Sequence, residues 1–258
     1  MLIRPVHAVP SLSECHSMIR ASPLGVLTTA IRSHDSDGFP FLQASHIPWV
    51  LDPPDEEEGE GDLGTLRGHI ARTNPQAKAM VASLEKGGEE KVELDEEVLV
   101  LFTAPNHGYV TPKFFTETKP QTGKVVPTWV YDAVQVYGRL TLYHAQDDRT
   151  NTFLSQQIHD LSTQGEASMG FVNTSSQKNA WEVSDAPAPY IKQLKRVIVG
   201  MEVKVTRIEG KSKMMQEERK GDRMGVAGGF RRMGGEKGEA LARRVEERSE
   251  QRERAREA

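Results

Sequence analysis

Two stretches of this chain gather side chains able to hold a ligand. The first is Gly68-His69-Ile70-Ala71-Arg72-Thr73-Asn74-Pro75-Gln76. Asparagine is a favoured helix cap, and proline suits the first helical turn, where its missing N–H is no loss. A helix begun this way presents unpaired N–H groups and the positive end of its dipole, and an arginine adds a fork of donors. Arg72, Thr73, Asn74 and Gln76 are therefore placed to grip an anionic group such as a phosphate. A plain helix cap with Arg72 on the surface would use the same residues. The second stretch, Val126-Pro127-Thr128-Trp129-Val130-Tyr131, puts polar and aromatic side chains at the edge of a strand that runs on to Leu140. Trp129 and Tyr131 suit either the wall of a barrel or a surface for a flat ligand.

Other reactive side chains are sparse. His46 and His69 on neighbouring strands could converge, and imidazole suits iron or zinc. No HxH or HExxH spacing accompanies them, so hydrogen-bonded core histidines are the expectation. Gly210-Lys211-Ser212 resembles the end of a phosphate loop, but the glycine required five residues earlier is Val205. The single cysteine, Cys15, can form no internal disulfide and has no catalytic partner by sequence, so packing is its expected role.

Several elements must position these groups. Leu12, Cys15, Met18 and Ile19 fall at helical spacing behind a serine cap, which predicts a helix from Ser11 to Arg20 closed by Pro23. Strands are predicted at 25–30, at 41–50 with Pro48 at an edge or bulge, at 65–71, at 98–102 and at 133–143. A last strand spans 197–208, where Val197, Val199, Met201, Val203 and Val205 share a face. Helices are predicted at 76–84 and about 147–161, and a turn at 34–38. Short strands with few helices argue for a mainly β, α+β architecture: a barrel with flanking helices.

Composition narrows the function. The 258 residues carry a net charge of −4. Between Asp52 and Asp62 lie seven acids and no base, an acidic loop, and 231–258 holds nine bases and seven acids. The remainder has 24 bases and 23 acids, without the basic stripe of a nucleic-acid binder. No apolar run is long enough for a membrane span, and the N-terminus lacks a secretory pattern. One cysteine fits a reducing compartment, and a cytoplasmic location is expected, with the nucleus as the alternative. The chain divides into a domain at 1–230 and a charged tail at 231–258, expected to lie on the surface as a helix or a disordered tail with little to bury.

The two stretches resemble the PaiB family, which is related to FMN-binding split barrels of the pyridoxamine-phosphate-oxidase type. That family's Gly-His-(Phe or Leu)-Ala-Arg-x-Asn-Pro-Gln is matched here apart from Ile70. Its Thr-His-Leu-Pro is similar to Ser45-His46-Ile47-Pro48, and its Val-Pro-Thr-Trp-Asn-Tyr is matched at 126–131 except that Val130 replaces Asn. Val98 to Pro105 and Tyr109-Val110-Thr111-Pro112 also line up, in the family's order. Lys213-Met214-Met215-Gln216-Glu217-Glu218 corresponds to Lys-Leu-Ser-Gln-Asn-Arg, keeping Gln216 and losing the Asn-Arg pair.

The resemblance implies a split β-barrel homodimer with FMN, or a similar phosphorylated small molecule, at the dimer interface. Carried over by position, Arg72, Thr73, Asn74 and Gln76 lie at the phosphate end, with Thr28, His46 and His69 nearby. Thr128, Trp129 and Tyr131 would face the flavin ring or a substrate over it, and Val130 removes one donor there. A flavoprotein is the first functional reading, with oxidoreduction through the flavin if it is catalytic. A negative transcriptional regulator is the second, acting through a ligand or protein partner, since no helix-turn-helix motif supports direct DNA binding. Haem binding is the third. Loop 52–62 and the tail are expected to be dispensable for ligand binding.

Overall fold

The computed structural model describes residues 1–32, 38–54, 61–85, 92–174 and 177–257, so most of the expected 34–38 turn and acid-rich positions 55–60 lie outside the described residues. The chain opens with a short strand, β1 (Ala8–Val9), and α1 (Leu12–Ala21). The Ser11 hydroxyl caps α1 by accepting from the Glu14 N–H at 3.2 Å. Cys15 and Ile19, one helical turn apart, turn inward. Burial pushes the Cys15 thiol up to about 11, helped by the Glu14 carboxylate, so it remains a thiol that packs.

Strands β2 (Leu24–Ala30), β3 (Leu42–Pro48) and β4 (Val50–Asp52) follow. The run expected at 41–50 thus divides after Pro48, at buried Trp49. Next come β5 (Thr65–Ala71), α2 (Pro75–Glu85), β6 (Val98–Thr103), β7 (Gly108–Val110) and α3 (Thr118–Thr122). After β8 (Thr128–Tyr143), the Asp147 carboxylate caps α4 (Asp148–Ser168) by accepting from Thr150 N–H at 2.8 Å. Then follow α5 (Ala188–Arg196), β9 (Ile198–Lys213), α6 (Lys220–Met233) and α7 (Gly235–Glu257).

The main strand order is β3-β2-β6-β8-β9-β5-β4; β1 adds to β9 and β7 to β8. β1 pairs with β9, β2 with β3 and β6, β5 with β4 and β9, and β7 with β8, each antiparallel, as expected for the α+β class of a split barrel. β3 lies at the end of this order, which is where Pro48 costs no ladder bond. The residues group into two compact units. The larger comprises Pro23–Phe102 and Gln135–Ile208; the smaller comprises Met1–Ser22, Thr103–Val134 and Glu209–Ala258.

Strand alternation builds the larger unit's core from Leu27, Leu66, Val100, Leu140, Val199, Met201 and Val203. Val197 does not join that face: it caps the end of α5 and is exposed. Gly68 is required where β5 packs against Ile47 and Trp49, since a Cβ there would lie 2.9 Å from Ile47 and 3.0 Å from the Trp49 ring.

The C-terminal segment departs from the sequence expectation. The helix α6, which local pattern did not reveal, and α7 both contribute to the smaller unit's core. Val226, Ala227, Phe230, Leu241, Ala242 and Val245 pack with Val110, Phe115, Val130, Met214 and Met215. Three apolar residues within one helical turn of α7 suffice, because arginines flank them and reach back to the unit. Arg244 donates to Asp132 at 2.7 Å, and Arg248 donates to the Ser212 hydroxyl at 2.8 Å and to Glu14. Positions 231–258 therefore bury a stripe that their composition hides.

Candidate functional site

The junction of β5 and α2 in the larger unit is held by its own polar groups. The Asn74 side-chain oxygen accepts from the Gln76 N–H at 2.8 Å, which is the expected cap, and its Nδ2 donates to the Ser45 hydroxyl at 3.2 Å. Gln76 is 2% exposed. Its Nε2 faces the Thr29 hydroxyl at 3.0 Å and the Gln43 and Leu27 carbonyls at 3.1 and 3.3 Å. The Arg72 guanidinium donates from Nη2 to the His144 and Ile198 carbonyls at 2.8 and 3.4 Å and from Nε to the Arg196 carbonyl at 3.3 Å. Arg72, Asn74 and Gln76 thus fasten β5, α2 and the α5–β9 turn together. Thr73 between them is exposed.

Thr28 and His46 lie on a different face from Gln76. Thr29, which Gln76 touches, is buried, whereas Thr28 alternates to the other side. His46 pairs with Val26 across the β2–β3 ladder, so it shares the Thr28 face, and it is exposed.

His69 stands opposite Gly200 in the β5–β9 ladder. A Cβ on Gly200 would lie 2.6 Å from the Phe153 ring, so α4 is pressed against the sheet at this point. Burial pushes the His69 imidazole below its ordinary pKa, and its Nδ1 is buried without a hydrogen-bond partner among the described residues. The pair of hydrogen-bonded core histidines expected from sequence is therefore one exposed ring and one half-buried ring whose Nδ1 is unpaired among the described residues. Among the described residues no group of three or more histidine, cysteine or acidic side chains is placed to hold a metal.

The smaller unit carries a different arrangement. Val130 points into its core, and alternation turns Trp129 and Tyr131 outward from β8. Trp129, 53% exposed, meets Tyr109 of β7 edge-to-face with centroids 6.0 Å apart. His107 lies 6.4 Å from the same indole. On β9, Lys211 sits 5.3 Å from the centre of the Tyr131 ring, and Lys213 donates to the Thr128 hydroxyl. The result is an outward aromatic surface edged by two ammonium groups.

That surface suits a flat, phosphorylated molecule. Each 100 Å² of aromatic surface covered is worth about 2.5 kcal/mol, and an ammonium carries three donors, of which a single hydrogen bond uses one. Thr128, Trp129 and Tyr131 are expected at a ligand from sequence; Tyr109 and Lys213 enter only within family motifs and Lys211 only in a failed phosphate-loop match. The two-residue spacing of the lysines places them on one face of β9, yet only strand pairing shows that β8 lies beside it.

The family model described as "Putative FMN-binding domain" matches residues 1–207. "Uncharacterized protein AN0679" of Emericella nidulans is 48% identical over 254 residues, 97% of this chain and 98% of that protein. "Protease synthase and sporulation protein PAI 2" of Bacillus subtilis is 26% identical over 142 residues, 55% of this chain and 53% of that protein. Among solved structures, the flavocytochrome Anf3 from Azotobacter vinelandii superposes with a TM-score of 0.42 at 13% identity, covering 80% of this chain and 69% of that one.

Proposed function

The chain belongs to the FMN-binding domain family, and from that premise we propose that it is a flavoprotein whose FMN lies on the β7–β8–β9 face of the smaller unit. The observation that carries this reading is the exposed Tyr109–Trp129 pair beside Tyr131, Lys211 and Lys213. In this proposal Trp129 and Tyr131 pack against the ring, while the two lysines and Thr128 neutralise and orient the phosphate. When bound, FMN supplies hydride and electron transfer through its ring, which is where an oxidoreductase activity would originate. The protein's part is to hold the ring and exclude water from one side of it. A homodimer is included in the proposal, with flavin occupancy and dimer population rising together.

The test is a flavin titration read in two ways: visible absorption retained after removal of free FMN, and quenching of indole fluorescence. Of the three tryptophans Trp129 is the one on the proposed face, while Trp49 is buried and the exposed Trp181 belongs to the larger unit, so the quench is expected to come mainly from Trp129. Trp129→Ala is expected to remove most of the quench and weaken binding about tenfold, the scale of one lost aromatic packing partner. A protein that retains no flavin, or a Trp129→Ala variant that binds and quenches as the native chain does, refutes the assignment.

Regulation through the ligand state is a second reading, favoured by the partial likeness to the Bacillus protein whose name refers to sporulation. Direct DNA binding draws no support from the basic C-terminal segment. Arg231, Arg244 and Arg248 are ion-paired with Glu246, Asp132 and Glu14.

A further inference from the structure

The larger unit contains a cavity of about 860 Å³ between the start of α4 and α5. Its volume lies in the range of sites that enclose small organic molecules, roughly 300–1,000 Å³. Val183 and Ile191, both half-buried, supply its apolar lining, and Lys192, Lys195 and Arg196 line one side. Facing them, Asp147 and Asp148 stand at the start of α4. Asp147 is the α4 cap and accepts from Thr150 N–H, which holds its carboxyl below the usual range. Asp148 lies in the first turn, where the helix dipole favours its charge. The acids are thus answered by their own helix. Lys195 donates to Asn151 and Ser155 at 2.6 and 2.9 Å, both neutral groups.

Helix α5 supplies a second observation. It has nine residues and buries none of them. Helices this short are marginal in water and ordinarily rely on packing of an apolar face. The carbonyls at its C-terminus favour Lys195 and Arg196 in the last turn. They account neither for Lys192 nor for the half-exposed Ile191.

We propose that this cavity binds an organic phosphate with a small apolar body, seated on Val183 and Ile191 with its charged group against Lys192 and Arg196. This site is separate from the flavin face and does not depend on it. The occupant would provide the burial that α5 lacks, so binding and ordering of α5 are coupled.

Phenyl phosphate is the probe, followed by calorimetry and by amide resonances of the full-length protein, with benzylamine as the cationic control. The expected result is saturable binding that moves amides of 145–154 and 184–196 and slows hydrogen exchange in α5, with no binding of benzylamine. Lys192→Glu and Lys192→Gln are both expected to weaken phenyl phosphate about tenfold or more, as loss of a charge-assisted contact does. Both variants should retain FMN as the native chain does, which separates this proposal from the flavin reading. Absence of saturable binding, equal binding of benzylamine, resonances of these segments that stay in place, or unchanged affinity in both Lys192 variants would each overturn the site.

Discussion

Replacing Gln76 by alanine separates a structural clamp from a ligand contact. The Gln76 amide is 2% exposed, and its Nε2 faces three acceptors within 3.3 Å. An amide nitrogen has two protons, so at most two full bonds exist, and neutral hydrogen bonds contribute about 0.5–1.5 kcal/mol each. Deleting the group also leaves a small cavity, worth about 1–2 kcal/mol. Against this, the Gln76 Oε1 is itself buried without a partner among the described residues, and losing it recovers about 1 kcal/mol. The balance is a destabilisation of about 2 kcal/mol, which for a chain of this size lowers Tm by about 4–8 °C. Thermal unfolding would be followed with and without saturating FMN. The increase in Tm caused by FMN should be the same in Gln76→Ala as in the native chain, because the side chain is enclosed by protein. If the variant unfolds within 1 °C of the native protein, or keeps its stability but loses the FMN-dependent increase, the clamp assignment fails and the phosphate reading of Gln76 is restored.

Three further outcomes follow from the packing. A chain ending at Met233 loses Leu241, Ala242 and Val245 from the core shared with Phe230 and Val110; it should aggregate or bind a hydrophobic dye, and a soluble monomer of native Tm would contradict the burial. Gly138→Ala would put a Cβ 2.3 Å from the Lys204 carbonyl oxygen, and overpacking of about 3 kcal/mol or more should appear as a lowered denaturation midpoint; an unchanged midpoint refutes the contact. Burial lowers the pKa of both His69 and His144 from 6.5, with the Arg72 charge adding to the effect on His144. A lowered folded-state value makes the unfolded chain take up protons first, so their stabilisation is complete above pH 6.5 and is lost as pH falls toward the folded values. Denaturation midpoints should fall with pH below 6.5, and His69→Gln should flatten that slope; a slope equal to the native one would show that His69 does not contribute.

Much of the architecture is legible from short-range pattern. The Ser11, Asn74 and Asp147 caps, the span of β5 and the buried alternation of Val199, Met201 and Val203 all follow from spacing within one or two turns or strand steps. The family motif places Thr128, Trp129 and Tyr131 near one another because they are adjacent in the chain. Alternation around the inward Val130 turns the two aromatics outward.

Other features exist only after distant segments meet. Lys213 reaches Thr128 across 85 positions, a pairing set by strand order that no local pattern encodes. Arg72 reads as an anion ligand in sequence, yet its donors meet carbonyls at 144, 196 and 198 because β5 ends beside the α5–β9 turn. The stripe of α7 has too few apolar residues to register as amphipathic, and its burial depends on arginines that find Asp132, Ser212 and Glu14 elsewhere in the smaller unit. Sequence alone determined the capped starts of several helices, the span of several strands and which residue types could meet a flavin, but not α5, α6 or the start of β8 at Thr128. Tertiary structure decided which polar groups remain available, because a donor's role depends on the acceptors that folding brings within hydrogen-bond reach.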